Sequence, residues 1–112
     1  MVVYWLPAAL QDAREAHEWY LGQSAKLAAE FLHELDACIL EAAATPNSFP
    51  KVEGPIHKHR LRKFSRYGVY YYPTREHLIV VSVFHGMRDP AELAKRLGKA
   101  SRKRSRRVRK SP

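Results

Sequence analysis

The hydrophobic period of this chain changes part-way along it, and that change limits the fold more than any other feature. Between Pro7 and Ala44 apolar residues recur every three or four positions, whereas from Ile56 to Phe84 they alternate or run in short blocks between turn residues. The first pattern suits helices laid on a surface; the second suits the strands that supply one. Val2-Val3-Tyr4-Trp5-Leu6, β-branched and aromatic and stopped by Pro7, adds a short strand at the start.

In the helical half, Pro7 opens a first helix at a position where a missing N–H costs nothing. Leu10, Ala13, Ala16 or His17, and Tyr20 make its apolar stripe, with Asp12, Glu15 and Glu18 between them. Gly22 is its stop, and Ser24 the N-cap of a second helix with a broad stripe of Leu27, Ala28, Phe31, Leu32, Leu35, Cys38, Ile39 and Ala42. So short a link predicts an antiparallel hairpin whose apolar faces share one sheet. Thr45-Pro46 ends the second helix. The stretch to Pro55, punctuated by Pro50 and Gly54, is expected to be an ordered crossing loop anchored by Phe49.

In the second half, Ile56 to Phe64, Tyr67 to Tyr72 and Leu78 to Phe84 read as strands, the last two joined by a turn from Pro73 to His77. If the first is a strand, Lys58, Arg60 and Arg62 point to one face. Leu78 to Phe84 is apolar on both faces and is expected at the sheet centre. His85-Gly86 ends it, with glycine allowing a turn at positive φ. Asp89-Pro90-Ala91-Glu92 starts a short helix that ends near Gly98: an acidic cap, proline at the first position and glutamate three residues on. The prediction is an α+β domain over residues 1–98, in the order β-α-α-β-β-β-α, with an antiparallel sheet and an N-terminal helical hairpin packed on one face.

The net charge of +9 resembles a nucleic-acid signal until it is divided along the chain. Residues 99–112 hold eight cations and no acid, so about +1 remains for residues 1–98. This basic tail, with Arg102, Lys103, Arg104, Arg106 and Arg107 at its centre, cannot bury a core and is expected to be disordered. Its plain role is solubility, and its sharper role is non-specific attraction to nucleic acid through phosphate contacts. Residues 1–50 are acidic and residues 51–98 basic. A chain of 112 residues suffices for one core, and the single cysteine, Cys38, is expected to be a buried core residue in a reducing compartment. With no charged leader and no apolar run long enough to span a bilayer, a soluble cytoplasmic protein without membrane contact is expected.

Three segments carry a resemblance. They are His17-Glu18-Trp19-Tyr20; Phe31 running into Pro46 and Phe49-Pro50; and the stretch from Arg60-Leu61-Arg62-Lys63-Phe64 through Tyr67-Gly68-Val69-Tyr70-Tyr71 to Val81-Ser82-Val83-Phe84-His85-Gly86-Met87-Arg88-Asp89-Pro90. Over roughly residues 3 to 97 their order and spacing resemble the RelE/ParE toxins, most of all the ParE branch. In many relatives an arginine stands at the position of Met87. The resemblance implies a cytoplasmic bacterial toxin of a type II toxin–antitoxin system, which inhibits growth and is neutralised by binding of a cognate antitoxin. It leaves two targets open: DNA gyrase, poisoned by binding in the ParE manner, or messenger RNA on the ribosome, cut by a RelE-like, metal-independent endoribonuclease.

The two mechanisms ask for different residues. Cleavage by the RNA's own 2′-hydroxyl needs a base, a cation at the phosphate and an acid for the leaving oxygen. Arg60, His85 and Arg88 are the candidates, with Lys58 completing a basic pair. Gly68 stands where the resemblance implies an arginine, and no tyrosine follows Tyr72. The incomplete set favours a binding toxin, with Lys58, Arg60, Arg62 and Arg88 as partner- or nucleic-acid-binding residues. Arg60 and Arg62 are either a recognition stripe or a solvated face balanced by the acidic helices, and Asp89 is a helix cap before it is a catalytic acid. Tyr70, Tyr71 and Tyr72 are read as sheet packing before base stacking. His57 and His59 share a strand face, yet no third ligand lies near in sequence, so no metal and no cofactor are expected.

Overall fold

The structure, a computed structural model, describes residues 1–98. The basic tail expected beyond them lies outside the described residues. Strand β1 (Val2–Trp5) leads into helix α1 (Pro7–Leu21), with proline in the first turn as expected. In α2 (Ala25–Ala44) the Ser24 hydroxyl accepts the Leu27 N–H at 3.2 Å, the capping bond expected of that residue. A 3-10 turn (Pro46–Ser48) follows, then β2 (Lys51–Glu53), β3 (Ile56–Arg60), β4 (Tyr67–Pro73) and β5 (His77–His85). A third helix, α3, begins at 90 and is described to 98. The Asp89 carboxylate accepts the Ala91 N–H at 3.0 Å and caps it.

The α+β reading stands, with a hairpin of α1 and α2 covering one sheet face. Three details differ. The sheet is mixed, in the order β1-β5-β4-β3-β2: β1 runs parallel to β5, and only the other pairs are antiparallel. Lys51–Glu53, expected in a loop, forms an edge strand on β3, because a bulge between Lys51 and Glu53 lets the proline-bounded segment pair for three residues. The central strand is β4, with β5 beside it; both are buried along their middles because each has a strand on either side.

The hairpin is held by an aromatic cluster. Tyr20 and Phe31 from the helices meet Phe64 and Tyr67 from the sheet side, with ring centroids 5.0–5.2 Å apart for the Tyr20–Phe31, Tyr20–Phe64 and Phe31–Tyr67 pairs. The stripe of α2 falls as expected except at Leu32, which is exposed. That of α1 is rotated: Ala9 and Ala16 are buried while Leu10 is 40% exposed. The rotation turns Asp12, in phase with Ala9 and Ala16, toward the sheet.

Candidate functional site

Strand register places the charged residues. Lys58 pairs with Tyr70 and Tyr70 with Ser82; one row along, Arg60 pairs with Gly68 and Gly68 with Phe84. Cross-strand partners share a face, so Lys58 and Arg60 share one. His57, stacked on Tyr71 (centroids 5.3 Å), shares the opposite face; Tyr71 there donates to the Pro46 carbonyl at the end of α2 (2.6 Å). Lys58 and Arg60 therefore occupy the face turned away from the hairpin.

Arg62 does not join them. Strand β3 ends at Arg60, and two residues on Arg62 donates to Glu41 of α2 at 2.7 Å, on the helical side. The strand expected to reach Phe64 is cut short because Leu61 and Phe64 turn into the core. Arg62 also holds the Glu41 carboxyl below its ordinary range. Nearby, Lys63 pairs with Glu30 at 2.5 Å. Of the two readings left open by sequence, Arg62 fits the balanced, solvated one and Arg60 the other.

Lys58 lies flat across the sheet. A Cβ on Gly68 would stand 2.5 Å from Lys58 Cε, so the missing side chain makes the space the lysine stem fills. Its ammonium donates to the Gly86 carbonyl at 2.9 Å and sits 5.1 Å from the Tyr70 ring centroid. The Tyr70 hydroxyl donates to the same carbonyl at 3.1 Å and accepts the Arg88 N–H at 2.9 Å, while Gly86 turns the chain at φ 83°, as expected.

Arg88 is on this face but engaged. Its guanidinium lies 3.8 Å from the Phe84 ring centroid and donates to Ser82 (3.2 Å) and to Asp12 (3.0 Å); its side chain is 16% exposed. Asp12 is the residue that sequence reasoning missed. Strand β1 pairs with β5 only as far as Val80, leaving β5 an open edge beyond it. Asp12 accepts the Val83 N–H (3.1 Å) and the Ser82 hydroxyl (2.9 Å), while Arg96 of α3 donates to the Val81 carbonyl (2.9 Å) and to Asp12 (2.8 Å). One carboxylate and the Arg96 guanidinium thus do the work of a missing strand, with the Arg88 guanidinium bracing the carboxylate. Burial pulls the Arg96 pKa down, but Asp12 and Glu92 outweigh it and hold the group above its ordinary value. The signal in sequence was an acid in phase with two core alanines.

His85 pairs with Tyr67 and meets its ring edge-on at 5.2 Å, so it alternates with Phe84 and stands exposed at the strand end. Both neighbouring histidines have structural partners. His57 Nδ1 donates to the Phe49 carbonyl (2.6 Å), and His59 stacks on the Phe49 ring at 3.7 Å, which makes Phe49 the anchor expected of it. Burial pushes the Cys38 thiol up to about 12, and the thiol donates to the His59 carbonyl.

Beside this face runs a groove of ≈ 940 Å³, walled by Phe49, Pro50 and Val52 on one side and by His85 and Met87 on the other, with Lys58, Arg60 and Arg66 along it. The side chains of Arg60 and Arg66 are exposed and make no hydrogen bond or ion pair among the described residues. Two free cations and one tethered cation over apolar walls suit an anionic ligand with apolar anchors. Among the described residues no helix is long and apolar enough to cross a membrane.

A five-stranded mixed sheet with a helical hairpin on one face is the RelE/ParE-like fold, here with a basic groove by the other face. The family described as the ParE toxin of the type II toxin-antitoxin system, parDE, matches residues 3–90, and the chain belongs to it. It is a toxin of a type II toxin–antitoxin system, and that class implies an antitoxin partner. No curated protein sequence matches the chain.

Proposed function

We propose that this toxin arrests growth by occupying a target, DNA gyrase, without cutting RNA, and that its antitoxin neutralises it by covering the Arg60 face. The observation that carries the reading is Lys58 lying in the space of the absent Gly68 side chain. Where a ribonuclease needs a cation free to meet a phosphate, this chain ties the lysine to the Gly86 carbonyl, and Arg88 is held by Asp12 and Ser82. Of the catalytic candidates, Arg60 is free, Arg88 is engaged, and His85 belongs to the alternate row of the sheet. Cleavage requires such groups converging on one phosphate.

The groove favours an antitoxin segment that is acidic and carries apolar side chains, since Arg60 and Arg66 offer charge and Phe49 and Val52 offer contact area. Two reconstituted assays test the reading: DNA supercoiling by purified gyrase, and cleavage of messenger on translating ribosomes. Loss of supercoiling with intact messenger is expected. Cleavage with normal supercoiling would overturn it in favour of the RelE-like endoribonuclease.

A further inference from the structure

Met87 is where the chain departs from the motif around His85-Gly86, and among the described residues it is the most exposed of the large apolar side chains, at 70%. Its sulfur is not free in space. Lys58 Nζ lies 3.8 Å from it and the Tyr70 hydroxyl 3.6 Å from it, both as donors. Those donors are fixed: Gly68 gives Lys58 its path, the Gly86 carbonyl receives both groups, and the Arg88 N–H holds the Tyr70 oxygen. A thioether accepts hydrogen bonds weakly. The Lys58 ammonium has a proton to spare for it, whereas the single Tyr70 proton is shared with the Gly86 carbonyl.

We propose that Met87 is a site of reversible oxidation by peroxide, with Lys58 and Tyr70 receiving the added oxygen. A sulfur lone pair attacks one oxygen of hydrogen peroxide; the S–O bond forms as the O–O bond breaks. The departing hydroxide takes the proton from the new S–OH and leaves as water. Sulfur gives up two electrons and peroxide accepts them. A dithiol reverses the step, becoming a disulfide while the sulfoxide oxygen leaves as water. The sulfoxide oxygen is a strong acceptor standing out from sulfur, so it shortens the Lys58 contact toward ordinary hydrogen-bond length and competes with the Gly86 carbonyl for the Tyr70 proton. Oxidation thereby converts the apolar lip of the groove into a polar one and draws Lys58 toward it. The site stands whichever partner the groove takes.

The full chain is exposed to limiting hydrogen peroxide and the oxygen gained at each methionine is read by peptide mass spectrometry. Met1, 53% exposed and without such donors among the described residues, is the internal reference. Met87 is expected to oxidise at least as fast as Met1, and the oxidised protein to melt about 4 °C higher, the scale of one added hydrogen bond in a domain this size. Met87→Leu, oxidised at Met1 alone, shows no rise; Lys58→Leu, lacking the donor with a proton to spare, loses most of it, and Tyr70→Phe loses less. Met87 left reduced while Met1 reacts would overturn the proposal. So would a melting temperature that does not rise, or a rise in Lys58→Leu as large as in the unsubstituted chain.

Discussion

Replacing Asp12 by alanine removes the one carboxylate shared by α1, β5 and α3. It leaves behind the Arg88 and Arg96 guanidiniums, whose side chains are 16% and 12% exposed, together with the Val83 N–H and the Ser82 hydroxyl. Removing one partner of a buried ion pair costs roughly 3–5 kcal/mol because the other charge stays buried and unpaired. An open pocket lined by Gln11, Glu15 and Trp19 lies alongside and admits water. Glu92 still reaches Arg96 at 3.3 Å, so the lower end applies: about 3 kcal/mol, or a fall in Tm of about 12 °C or more. Urea and thermal unfolding measure it. Asp12→Asn keeps the shape and one accepting oxygen, and should fall between the two. A loss below about 1 kcal/mol for Asp12→Ala would refute the claim that this carboxylate closes the β5 edge, since exposed ion pairs are worth no more than that.

Three more outcomes follow from the same geometry. Cys38 and Tyr71 are both pushed up by burial to about 12, from ordinary values of 9.0 and 10.0. Both stay protonated in the fold where the unfolded chain ionises, so stability should hold below pH 9 and decline from there toward pH 12, less steeply in Cys38→Ala; a flat alkaline limb in urea titrations would count against this. Arg60→Glu should slow antitoxin association several-fold by reversing a free charge at the groove, whereas Arg62→Glu, on the helical side, should not; equal rates for the two in stopped-flow binding would contradict the assignment of faces. Deleting residues 99–112 removes eight cations and should weaken retention on DNA at low salt while antitoxin affinity is unchanged; identical elution of both proteins in a salt gradient would dismiss a role for the tail in nucleic-acid contact.

The resemblance in sequence pointed to the family, and local chemistry fixed most of the elements, because period, caps and breakers act over a few residues. Ser24 capped α2, Asp89 capped α3, and Gly86 took the positive φ its position asked for. The cations of the site were visible as residue types, and Lys58 and Arg60 fell on one face because alternation in a strand is a local rule. What sequence could not decide was where β3 would stop. One extra pair of strand residues would have put Arg62 beside Arg60; the pull of Leu61 and Phe64 into the core sent it to Glu41 instead.

Tertiary structure alone settled the rest, for the same reason in each case. Gly68 reads as a gap in a catalytic motif until β3 is laid against β4 and Lys58 is found filling it. Asp12 reads as one more surface acid until β1 proves too short to cover β5 and a carboxylate is needed on that edge. Met87 reads as a stray apolar residue until Lys58 and Tyr70, 29 and 17 positions away, converge on its sulfur. Period and capping are properties of neighbours along the chain, which sequence states directly. Whether a charge is free, paired or spent on a backbone edge depends on which distant segment lies against it, and only packing supplies that neighbour.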